Sequence, residues 1–142
     1  MSDLEERFSA ALQGTSRSWR QAVDRRLKYL GVSQASWMTI AMAARARWPL
    51  SQSELADKLA VEGASMVAMV DRLVKAGLVE RQASTTDRRV KRVVLTPAGL
   101  RIYDQVKTQA VALRKELLAN TDPKKLLVAT ELLEALQGMI EA

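Results

Sequence analysis

Residues 51–97, SQSELADKLAVEGASMVAMVDRLVKAGLVERQASTTDRRVKRVVLTP, decide the fold. Ser51-Gln-Ser-Glu54 is a capping-box pattern, in which the Ser51 hydroxyl accepts from the Glu54 amide and the Glu54 carboxylate reaches back to the Ser51 amide. It opens a short helix, 52–60, and Val61-Glu62-Gly63 breaks it. A second helix is expected over 64–76 with Met66, Val67, Val70, Leu73 and Val74 turned inward; Lys75 favours its C-terminus and Gly77 closes it. The pattern then changes. Leu78–Arg81 and Val90–Leu95 are strand candidates, separated by the polar run Ser84, Thr85, Thr86, Asp87, Arg88, Arg89. The stretch therefore spells helix, turn, helix, and a hairpin with a basic tip.

Outward from this module the chain is helical. Leu4, Phe8, Ala11, Leu12, Thr15, Trp19, Val23, Leu27 and Leu30 recur at three- and four-residue steps over one long helix, 3–30, which Gly31 ends. Ser33 can cap a further helix over 34–47, with Trp37, Ile40 and Ala44 on one stripe, and Trp48-Pro49 stops it because the residue before proline avoids the α region. Thr96-Pro97 and Asp122-Pro123 are both N-cap-plus-proline starts, and they open helices over 97–119 and 123–141. The expected fold is mainly α with a small β-hairpin wing: one domain, 1–142, in which a winged helix-turn-helix lobe (33–95) is flanked by N- and C-terminal dimerisation helices (1–32 and 96–142). The apolar stripes of the terminal helices offer more surface than so small a lobe can cover, which points to a two-fold homodimer.

The formal charge of +6 is unevenly placed: residues 1–50 and 77–101 carry +4 each, while 51–76 and 102–142 carry −1 each. A local basic patch is the footprint of a polyanion partner, although a charged surface can also be merely solvated. With no cysteine and no histidine, disulfides, thiol redox chemistry and Cys/His zinc sites are excluded. No cofactor or metal is expected. Apolar runs fall far short of the roughly 20 residues that span a bilayer, and the acidic start Met1–Glu6 lacks a signal-peptide pattern, so a soluble, cytoplasmic protein without a membrane partner is expected.

Physically, two short helices joined by a tight turn present the second one outward, and the DNA major groove is about as wide as a helix. A hairpin directly after it can follow the backbone to the next minor groove, where an always-charged arginine meets concentrated negative potential. Arg88 and Arg89 sit where such a tip would be, beside Asp87, which can pair with one of them.

Ser51–Leu59, Met69-Val-Asp-Arg-Leu73, Lys75–Arg81, Asp87–Arg92 and Leu95-Thr-Pro97 in this order resemble the MarR/SlyA family of bacterial regulators. Trp19-Arg20, Asp24–Lys28 and Leu30–Gln34 up to Trp37 are similar to its SlyA-type branch, and the resemblance covers nearly the whole chain. It implies a dimer built by the terminal helices, a pseudo-palindromic site in double-stranded DNA, wing arginines in the minor groove and, in many members, release by a small aromatic or phenolic acid. The segment Gly63–Ala68 departs from the family in having alanine where arginine is common, at Ala68, which removes a side chain suited to guanine or phosphate.

The DNA-contact set is accordingly Ser53, Gly63, Ala64, Ser65, Met66, Ser84, Thr85, Asp87, Arg88, Arg89 and Lys91. Ser65 leads in the recognition helix, with Gly63 and Ala64 allowing close approach. Met66 either touches a thymine methyl or packs in the core, and Ser53 either meets a phosphate or faces water. Ser84, Thr85 and Lys91 are backbone contacts. Arg89 is assigned to the minor groove and Arg88 to the Asp87 salt bridge, an order that can be reversed. Arg72 is expected to bridge to acids inside the lobe. Trp19, Arg20, Trp37 and Met38 form the effector set, the alternative being that both tryptophans are ordinary core.

An enzyme is disfavoured because no nucleophile-base pair and no phosphate-cradling glycine loop is visible. A helical interaction module without DNA binding would leave the basic hairpin without a role. The chain is thus expected to be a DNA-binding transcription regulator, a repressor, released by a small aromatic ligand.

Overall fold

The computed structural model describes residues 2–142. Its contacts group the chain into two compact units, Met1–Ala110 and Val111–Ala142. The first contains α1 (Ser2–Arg26), a 3-10 turn (Lys28–Leu30), α2 (Gln34–Arg45), β1 (Leu50–Ser51), α3 (Gln52–Leu59), α4 (Gly63–Lys75), β2 (Val79–Ala83), β3 (Lys91–Leu95) and the larger part of α5 (Pro97–Leu118). The second contains the end of α5 and α6 (Pro123–Glu141). The fold is mainly helical with one three-stranded antiparallel sheet, ordered β1-β3-β2. Among the described residues no helix is long and apolar enough to cross a membrane.

Each helix end follows from its local chemistry. Acidic Asp3 and Glu5 sit in the first turn of α1 and basic Arg25 and Arg26 in its last, matching the helix dipole. The α-helix stops at Arg26, four residues short of the expected end, and tightens into the 3-10 turn that Gly31 closes at φ 68°. Ser33 caps α2 by accepting from the Ser36 amide at 3.1 Å. Both arms of the α3 capping box are made: Glu54 N–H to Ser51 Oγ at 3.1 Å, and Ser51 N–H to Glu54 Oε1 at 3.0 Å. The Ser51 amide, more than any other neighbour, holds the Glu54 carboxyl below its ordinary range. At the end of α4, Gly77 adopts φ 75°, and the Gly77 and Leu78 amides fold back to the Val74 and Leu73 carbonyls at 3.0 and 2.9 Å, a Schellman closure.

Strands β2 and β3 pair over five residues, from Val79 opposite Leu95 to Ala83 opposite Lys91. The sheet has a strand beyond the expected hairpin: Leu50 pairs with Val93 and Ser51 with Arg92. Two residues are too few to show an alternating pattern, and these two sit at the junction of the Trp48-Pro49 helix stop and the Ser51 helix start. The core of the lobe joins Ile40 of α2, Leu55 of α3, Met66 and Val70 of α4, and Val79 and Val93 of the sheet. The buried stripe of α4 is Met66, Met69, Val70 and Leu73. Val67 and Val74, expected inside, are 42% and 39% exposed. Residues 66, 69, 70 and 73 lie on one face at the helical period, and 67 and 74 fall outside it.

The corner between β3 and α5 is tight. Thr96 donates its amide to the Leu78 carbonyl at 3.1 Å and its hydroxyl to the Gly77 carbonyl at 2.6 Å, and its Oγ1 accepts from the Gly99 amide at 3.1 Å. Gly99 lies so close to the Leu78 carbonyl that an added Cβ would overlap that oxygen.

In the second unit Asp122 caps α6 through the Lys124 amide at 3.0 Å. No residue of α6 is buried; Leu127, Val128, Met139 and Ile140 are exposed, Ile140 to 82%. In the first unit, Leu4, Phe8 and Leu12 of α1 are also exposed.

Candidate nucleic-acid interface and cleft

The wing tip is built by Asp87. Its Oδ1 accepts from the Arg89 backbone amide at 3.0 Å and from Arg89 Nε at 3.2 Å, while Oδ2 accepts from Arg89 Nη2 at 3.2 Å. The Arg89 side chain is nonetheless 90% exposed. The guanidinium holds the Asp87 carboxyl below its usual range, with the Arg89 amide adding to the effect. The salt-bridge partner of Asp87 is thus Arg89, not Arg88, which corrects that half of the expected assignment. The physical reason is reach: the carboxylate closes a turn onto the amide two residues on, which brings the Arg89 side chain back across it. Arg88, Lys91 and Thr85 are exposed on the same wing. Ser84 is not: it is buried, its hydroxyl shared with Thr86 at 3.1 Å, so it shapes the loop instead of facing outward.

On α4, Gly63, Ala64 and Ser65 are exposed at the first turn, and Ser53 is exposed at the first turn of α3. Glu62 is the N-cap of α4 but places no side-chain hydrogen bond there. Met66 is 2% exposed and belongs to the core, so it has no access to a thymine methyl.

A residue not singled out in the sequence organises this face. Arg81 of β2 donates from Nε to Gln52 Oε1 at 2.6 Å, and from Nη2 to Asp71 Oδ1 at 2.6 Å and the Val67 carbonyl at 3.3 Å. One planar side chain thereby ties the wing strand to both helices of the helix-turn-helix. Among the described residues the expected intralobe bridge of Arg72 is not made; the acid beside it, Asp71, is taken by Arg81. The signal was available in the strand period: Arg81 follows buried Val79 by two residues and shares its face, where a charge needs a partner. Arg92 similarly donates to the Pro49 carbonyl at 2.8 Å and lies 3.6 Å from Glu54.

Trp19, Arg20, Trp37 and Met38 all line one cleft of about 370 Å³ within the first unit, together with Arg45, Thr15 and Ser16 among others. Its wall is mostly apolar, and Arg20 and Arg45 are among its lining residues. Trp37 is buried and also structural: its Nε1–H donates to Asp24 Oδ1 at 2.8 Å, while Lys28 Nζ lies 3.2 Å from Asp24 Oδ2. The Trp37 bond is the main reason the Asp24 carboxyl sits below its ordinary range, against the opposing effect of burial; Lys28 adds to it.

A folded-state pKa below the unfolded one adds stability above the unfolded value, near 3.9 for Asp, and the gain is lost as pH falls through the folded value. An Asp24→Asn protein should therefore lose less stability than the parent between about pH 4 and more acidic conditions, while Asp24→Ala, which strands the indole N–H, should cost about 1–3 kcal/mol at neutral pH. Denaturant unfolding followed at neutral and acidic pH checks both; equal acid losses in parent and Asp24→Asn would remove the assigned role.

The MarR family model matches residues 32–91. The transcriptional regulator PA3341 is 36% identical in its solved structure, with 94% of this chain and 98% of that chain covered and a TM-score of 0.87. The reduced form of MarR from E. coli is 25% identical, with 90% and 94% covered and a TM-score of 0.75. BldR from Sulfolobus solfataricus, at 24% identity, shares the fold over 99% and 97% of the two chains with a TM-score of 0.79. With its helix-turn-helix, its wing and its likeness to these proteins over nearly its full length, the chain belongs to the MarR family of transcriptional regulators.

Proposed function

We propose that this regulator is a repressor that binds a pseudo-palindromic operator as a homodimer, with α4 in the major groove and the wing in the neighbouring minor groove. The observation that carries the reading is the wing tip: a guanidinium held by Asp87 on a side chain that is 90% exposed. Such a group is pre-oriented and keeps N–H donors free for a polyanion. In this reading 33–95 is the reading lobe, 1–32 and 96–142 are the dimerisation segments, and the protein works in the cytoplasm on promoter DNA without catalysis. The exposed apolar residues of α1 and α6 support the dimer, since a second copy would bury them.

A band-shift titration on its own promoter region at several salt concentrations tests the reading. Affinity should fall linearly on a log-log scale as counterions are displaced. Sedimentation at micromolar concentration should give a dimer; a single 15.7 kDa species would remove the homodimer.

Release belongs to the same proposal. The cleft lined by Trp19, Trp37, Met38 and Arg20 suits a small aromatic acid, with ring faces for the ring and a guanidinium for the carboxylate. A coupling of about 1–3 kcal/mol would weaken DNA binding roughly 5–150-fold. Salicylate should quench or shift tryptophan fluorescence and loosen the band-shift complex. Unchanged DNA affinity at saturation would exclude release by this ligand, and equal action on Arg20→Ala would misplace the pocket.

A further inference from the structure

The exposed face of α4 is chemically unusual for a helix that reads DNA. Ala64, Val67, Ala68 and Asp71 stand at positions i, i+3, i+4 and i+7 of one helical stripe and are all exposed. Val67 stands 42% exposed, while its neighbours Met66 and Met69 are buried. Asp71 is occupied, its Oδ1 held by Arg81 at 2.6 Å. Along this stripe the first two turns present no side-chain donor or acceptor, and Ser65 beside it offers a single hydroxyl.

Bases in the major groove are told apart by hydrogen-bonding edges and by one apolar mark, the C5-methyl of thymine. Residues 64, 67 and 68 have no means of reading the first. Bidentate pairing to guanine or adenine needs Arg, Lys, Asn or Gln, and none stands there. Methyl and isopropyl groups are the complement of the second. The surrounding charge favours DNA over an apolar protein partner for this face, because the wing of the same lobe carries exposed Arg88, Arg89 and Lys91.

We propose that α4 reads thymine through its methyl group, with Val67 as the central contact and Ala64 and Ala68 beside it, so that each operator half-site carries thymines under the first two turns of the helix. This rests on the reading that α4 enters the major groove. Sequence selection is then apolar, while the wing supplies most of the electrostatic attraction.

The test uses the full chain and a duplex selected by it from a random-sequence library. Each thymine of the half-sites is replaced in turn by deoxyuridine, which removes only the methyl. At the contacted positions affinity should fall about fourfold per methyl, the value of burying one such group. Val67→Ala should bind the thymine duplex more weakly and lose most of its response to uracil at the central position. Selective, salt-dependent binding that ignores uracil would overturn this proposal and leave the DNA-binding reading standing. An equal uracil response in parent and Val67→Ala would also overturn it, since the methyl would then act through DNA shape. Absence of any salt-dependent binding would overturn both.

Discussion

Replacing Gly99 with alanine is expected to destabilise the protein by about 3 kcal/mol or more, one of the largest effects any single methyl can have here. The added Cβ would meet a backbone carbonyl, that of Leu78, which cannot rotate away as a side chain does. That carbonyl also accepts the Thr96 amide, and Thr96 both caps α5 and donates to Gly77. Relieving the overlap therefore stretches several hydrogen bonds at once, each worth about 1 kcal/mol. The midpoint of thermal unfolding should drop by roughly 6–12 °C at fixed protein concentration. The same chemical change at Gly14, within α1 and with open space around it, should be neutral or stabilise by about 0.5–1 kcal/mol, because alanine is the better helix former. Equal melting of Gly99→Ala and the parent would mean that the corner is not packed as described.

Arg89→Ala is expected to weaken DNA binding by about 1–3 kcal/mol per half-site, and twice that for a dimer that uses both wings. The side chain is on an exposed tip, so folding should survive, and unfolding curves of variant and parent should coincide within about 0.5 kcal/mol. Arg89→Lys keeps the charge but not the fork that holds Asp87, and should fall between the two. Asp87→Ala leaves the guanidinium unclamped and should weaken binding less than Arg89→Ala does. The clamp persists at neutral pH, because the lowered Asp87 carboxyl stays ionised until pH drops below the ordinary aspartate range. Band shifts at constant salt measure the series. An Arg89→Ala protein with parental affinity would contradict the minor-groove assignment.

Most of the architecture was legible in the sequence because its boundaries are set by local chemistry. The Ser51/Glu54 box, the Gly31 and Gly77 closures, and the Thr96-Pro97 and Asp122-Pro123 starts act within a few residues. Much of what escaped depends on residues distant in sequence. Strand β1 exists because β3 is there to pair with it. The Arg81 contacts span 10, 14 and 29 positions, and the Trp37–Asp24 bond spans 13. The assignment of Met66 and Val67 is a matter of helix phase: one residue is a turn of about 100°, so adjacent apolar side chains end on different sides, one in the core and one outside. The four residues of the expected effector set do line one cleft, since α1 and α2 bring positions 19–20 and 37–38 to it; their role as a ligand site is part of the proposal above.

The Arg81 anchor has an evolutionary corollary. It grips α4 through Asp71 and the Val67 backbone, never through the side chains at 64, 67 and 68. Under the proposed reading, those three codons are free to vary without disturbing the parts that fold the lobe or hold the phosphates. A duplicated gene can thus acquire a new set of promoters by single substitutions on one helical stripe, each intermediate remaining a folded, DNA-competent protein. Mutations at Arg81, Asp71 or Gln52 have no such freedom, and divergence among descendants should concentrate on the stripe.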